Sequence, residues 1–158
     1  MYYIDKEALA FLDGYLRGLC VLTRTKKDIS MGCGILDIQD GCIKKTFEDL
    51  FFPELNIKEY SQNLINFDYI EKKIKKILDN IFSFSNLSDI DYSAWEFAEY
   101  ILNIVCSTND NGYFFSSNIY EVNLRFNEEK WNCYFVFPVG NQIFFILFRG
   151  LDDLFVVN

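Results

Sequence analysis

A chain of 158 residues with 51% hydrophobic and 18% aromatic side chains is long enough to bury roughly two-thirds of its unfolded surface in one core, and too apolar for the disordered class. Its formal net charge of −8 disfavours nucleic acid and anionic membranes as partners. It contains no histidine, the side chain used most for proton transfer near neutral pH, nucleophile activation and transition-metal ligation.

The N-terminal residues Met1 to Glu7 lack the basic start, apolar run and cleavage site of a secretory signal, so a cytoplasmic location is expected. No apolar run reaches bilayer length; the longest, Ile143 to Phe148, has the length of a strand. Cys20, Cys33, Cys42, Cys106 and Cys133 are odd in number and lack C-x-x-C spacing, so they read as small buried hydrophobes and neither a metal nor a cofactor is expected.

From Asp5, a candidate N-cap, the residues Ala8, Phe11, Leu12, Tyr15, Leu16 and Leu19 recur at helical spacing and predict a first helix. Gly14 and Gly18 inside it suggest close packing against another element. Between Thr23 and Pro53 the periodicity weakens, and Ile35, Ile38 and Ile43 suggest short or irregular pieces. A short helix is predicted over Lys44 to Phe51, stopped by Pro53.

The stripe Ile70, Ile74, Ile77, Leu78 and Ile81 predicts a helix from Asp68 to Phe82, with Lys72, Lys73, Lys75 and Lys76 on its solvated faces. Another helix is expected from Ser93 to about Cys106, opened by the capping-box pair Ser93 and Glu96 and packed through Trp95, Ala98, Ile101, Leu102 and Val105. After the polar loop Thr108 to Gly112 the period becomes two. Tyr120, Val122, Leu124 and Phe126 alternate with polar neighbours. A turn at Asn127 to Lys130 then leads into Trp131, Cys133, Phe135 and Phe137.

A turn at Pro138 to Asn141 precedes Ile143 to Phe148, apolar on both faces like an interior strand, and a last short strand is expected over Leu154 to Val157. Helices followed by strands on short connections predict one α+β domain over 1–158. Its helical part is expected at about 1–108, packed on an antiparallel meander of three to five strands at about 112–158.

The charge is unevenly spread. From Ile77 to Leu124 there is no Lys or Arg, while Asp79, Asp89, Asp91, Glu96, Glu99, Asp110 and Glu121 are all acidic. Asp89, Asp91 and Glu96 can act as first-turn acids of the Ser93 helix, but capping does not account for so long a stretch without cations. A surface of one sign steers an oppositely charged partner inward.

Catalytic readings find little purchase. No two carboxylates stand out as a glycosidase pair. Asp37 to Gly41 does not continue into the spaced oxygen ligands of a calcium loop, and Gly32-Cys33-Gly34 is too short to cradle a phosphate. The 17 Phe and 10 Tyr residues have no basic groove between them for stacked bases.

A short, acidic, aromatic-rich domain that starts with helices, ends in the Tyr120 to Val157 sheet and carries no catalytic set resembles the bacterial immunity proteins of contact-dependent growth inhibition and related polymorphic toxin systems. The resemblance implies a cytoplasmic protein, not an enzyme, that neutralises a cognate protein toxin by tight binding. A basic nuclease is the expected partner, with no nucleic acid or membrane bound directly.

The expected contact residues are Asp89, Asp91, Glu96, Glu99 and Asp110, with Tyr92 and Tyr113 as aromatic anchors. The alternatives are a subunit that self-associates, for instance as a homodimer, through the Phe-rich sheet, and a hydrolase working through carboxylates.

Overall fold

The computed structural model describes residues 6–22, 30–83, 118–126 and 130–151. Three helices, α1 (Lys6–Leu22), α2 (Ile43–Phe51) and α3 (Phe67–Ser83), accompany five strands, β1 (Ser30–Asp37), β2 (Glu59–Ile65), β3 (Ile119–Arg125), β4 (Lys130–Val139) and β5 (Gln142–Leu151). The strands form one antiparallel sheet in the order β1-β5-β4-β3-β2, which makes the class α+β. The expected Ser93 helix, the loop after it and the Leu154 strand lie outside the described residues, as do Asp5 and the β3–β4 turn residues 127–129.

The C-terminal meander follows the two-residue alternation. Phe135 and Phe137 of β4 sit on one face with Phe144, Ile146 and Phe148 of β5, beneath Leu12 and Leu16 of α1 and Ile70, Ile74 and Ile77 of α3. Val122, Leu124, Tyr134, Val136 and Ile143 occupy the opposite face, under Phe47 of α2. Both faces are covered, so the Ile143 to Phe148 run of β5 is apolar on both sides, as expected of an interior strand. Pro138 belongs to β4, opposite Ile143, and the turn is confined to Gly140 and Asn141.

Three local expectations change. Phe11, assigned to the inward stripe of α1, is 57% exposed. Gly14 and Gly18 are exposed, and no described atom lies within 4 Å of where either Cβ would stand, so they mark no close packing with the described elements. Lys73 is half-buried, unlike the exposed Lys72, Lys75 and Lys76, and its charge reaches Cys133 in the sheet.

The segment between α1 and α3 holds two strands, β1 where the sequence suggests short or irregular pieces and β2 in a stretch to which the sequence assigns no element. β1 lies along α1, and its Met31 and Cys33 N–H groups donate to Cys20 Sγ and Asp13 Oδ1, each at 3.1 Å. Side chains of α1 thus occupy amides on that edge of the sheet. Next comes a tight turn at Asp40-Gly41, both with positive φ (50° and 68°), closed by Cys42 N–H donating to Gln39 O at 2.9 Å. Paired positive φ values are what an Asp-Gly hairpin turn supplies, and this explains a motif that only superficially suggests calcium.

Thr46 in the first turn of α2 is buried yet satisfied, accepting from Gln39 N–H at 2.9 Å and donating to Cys42 O at 2.8 Å. The helix ends at Phe51, and Phe52 is extended (φ −70°, ψ 141°), as its position before Pro53 requires. Asn66 caps α3 by accepting from Tyr69 N–H at 2.9 Å.

Candidate binding surface

Asp89, Asp91, Tyr92, Glu96, Glu99, Asp110 and Tyr113, the contact residues expected from sequence, all lie outside the described residues. Glu121, the last acid of the cation-free stretch, is described, and it is internal. It is 5% exposed, and its carboxylate accepts from Tyr69 Oη at 2.8 Å and Asn123 Nδ2 at 2.9 Å. It therefore adds nothing to an outer negative surface. Alternation in β3 puts Glu121 and Asn123 on the face under α3, while Val122 and Leu124 point toward α2.

The described surface has one feature that sequence reasoning missed, a groove of about 560 Å³ between α2 and the start of β2. Phe52, Leu55, Ile57 and Tyr60 line it together with the charged or polar Lys44, Glu48, Asp49, Asn56 and Lys58. Phe52, the extended residue before Pro53 at which the helix ends, is 70% exposed. Lys44 Nζ stands 5.6 Å from the centroid of the Tyr60 ring, and Tyr60 Oη donates to Gln62 Oε1 at 2.6 Å. Partial burial, with a smaller contribution from the charge of nearby Cys42 and then Glu48, raises the Tyr60 hydroxyl well above its ordinary range and keeps it a hydrogen-bond donor. The Phe51-Phe52-Pro53 run marks where the helix ends, not that β2 meets it there.

Two cysteines on the opposite face of the sheet, Cys33 and Cys133, are not primed for chemistry. Burial first, and then the negative charge of Asp13, pushes the Cys33 thiol up to about 12. Burial likewise holds the fully enclosed Cys133 protonated, with Glu121 adding to the effect. Among the described residues no group of three or more Cys, Asp or Glu side chains could hold a metal ion, and no helix is long and apolar enough to cross a membrane.

Comparison with protein-family models, curated proteins and solved structures finds no match.

Proposed function

We propose that this chain is an immunity-type binding protein that neutralises a basic protein toxin, with a nuclease as the fitting class, by forming a tight complex in the cytoplasm. One observation carries the reading: no Lys or Arg occurs from Ile77 to Leu124, while Asp79, Asp89, Asp91, Glu96, Glu99 and Asp110 fall there beside the buried Glu121. A nuclease cleft is basic because it grips phosphates, and carboxylates held at such a cleft compete with the substrate for the same cations. Tyr92 and Tyr113 interrupt or flank the acids and serve as anchors. The chain acts by occupancy and performs no turnover of its own.

The test is protection. The C-terminal domain of a polymorphic toxin encoded immediately upstream would be expressed in cells with this chain, or with a variant carrying Asp89→Asn, Asp91→Asn, Glu96→Gln and Glu99→Gln. Wild type is expected to restore growth and the neutralised variant to fail while remaining folded. Equal protection by both would contradict the proposal.

A further inference from the structure

We propose that β2 pairs with β2 of a second copy of this chain, antiparallel about a two-fold axis at Gln62, joining two five-stranded sheets into one of ten strands. The inference is independent of the toxin-binding reading.

The two edges of the sheet are treated differently. β1 has amides occupied by Asp13 and Cys20 from α1. Among the described residues β2 ends the sheet on the other side, and Ser61, Gln62, Asn63 and Leu64 are all exposed. Edge strands are normally kept from pairing by lysines, prolines, bulges or brevity. Glu59–Ile65 has no Lys, Pro or Gly, and its register with β3 runs unbroken over all seven residues. Its single charge, Glu59, sits at one end.

The strand is also complementary to itself. An axis at Gln62, the midpoint of the strand, pairs all seven residues. Tyr60 then faces Leu64 of the second copy, Ser61 faces Asn63, Gln62 faces Gln62 and Glu59 faces Ile65. Opposed residues share a sheet face, so Tyr60 covers Leu64, which is 63% exposed in the single chain. No like charges meet. Moving the axis to Ser61 sets Leu64 against Lys58, and moving it to Asn63 sets Leu64 against Gln62, so both lose the aromatic contact and shorten the ladder.

Phe-rich self-association, the sequence-based alternative, would use a different surface. Phe135, Phe137, Phe144 and Phe148 are no more than 3% exposed beneath the helices.

Sedimentation equilibrium of the full chain, alone and at rising concentration, tests the pairing. Wild type is expected to dimerise, and more tightly as salt screens the repulsion between two chains of net charge −8. A complex with a cationic toxin responds to salt in the opposite sense, so failure of one proposal is distinguishable from failure of the other. Gln62→Lys and Gln62→Glu each set like charges across the axis and should weaken the dimer roughly tenfold, while an equimolar mixture of the two recovers it as a heterodimer. Leu64→Ser, at an exposed position, should weaken it several-fold with folding intact by circular dichroism. A wild type that stays monomeric, or Gln62 variants that dimerise as well alone as together, would overturn the proposal.

Discussion

Tyr69 on α3 donates its phenolic hydrogen to the carboxylate of Glu121 on β3 at 2.8 Å, tying the helix to the sheet through a buried acid. The bond draws an acid out of the cation-free stretch and into the structural core. Tyr69→Phe removes one donor from a carboxylate that is 5% exposed and is expected to cost about 1–3 kcal/mol, because the acceptor stays behind. Urea denaturation of wild type and variant, compared at constant slope, measures it.

Alkaline pH should unfold the protein by a definable route. Burial raises Tyr134 from 10.0 to about 12, with the charge of Arg149 partly opposing, and raises Cys33 from 9.0 to about 12. Tyr60 and Tyr69 are raised in the same direction. A raised folded-state pKa means that the folded chain holds its proton more tightly than the unfolded chain. The corresponding stability is complete below pH 9 and is lost as pH climbs from there toward 12. Phenolate absorbance followed against pH should show these tyrosines ionising together with the loss of circular dichroism, and not before it.

Two classes of glycine should respond with opposite signs. A Cβ on Gly34 would stand 2.9 Å from Phe145 Cζ and 3.1 Å from its Cε1. Gly34→Ala is therefore expected to destabilise by about 1–3 kcal/mol. Gly14 lies in α1, exposed and clear of described neighbours, so Gly14→Ala should stabilise by about 0.5–1 kcal/mol. Thermal melts of the two variants separate them.

Thiol labelling at neutral pH should divide the described cysteines. Cys42 is exposed and is expected to alkylate first, Cys33 slowly, and Cys133 only once the chain is unfolded. Mass spectrometry of the labelled peptides reads the order.

The elements legible in the sequence are those whose periodicity is set by one buried face. The stripe Ile70, Ile74 and Ile77 delimited α3 to within a residue at each end, and alternation with short connections delivered the meander β3-β4-β5. β1 and β2 escaped for opposite reasons. β1 carries Gly32 and Gly34, and Gly34 is required by its closeness to Phe145 of β5, a strand more than a hundred residues away in the chain. Local propensity does not register such a partner.

β2 reads as polar because it is an edge strand exposed along most of its length, with no buried face to impose alternation. Glu121 misled in a third way. In a one-sided sheet, the polar members of β3 would face solvent, whereas this sheet is covered on both faces and buries Glu121 beneath α3. The groove at Phe52 depended on the meeting of α2 with β2, which no local pattern announces.

The most direct test of the proposed immunity function is to take a toxin C-terminal domain whose effect the chain suppresses in cells and to measure, by calorimetry, the salt dependence of its binding to wild type and to the Asp89→Asn, Asp91→Asn, Glu96→Gln, Glu99→Gln variant. A complex that weakens steeply with ionic strength in wild type, and much less steeply from a lower starting affinity in the variant, is the predicted result. An affinity indifferent to salt and to loss of these four carboxylates would contradict it.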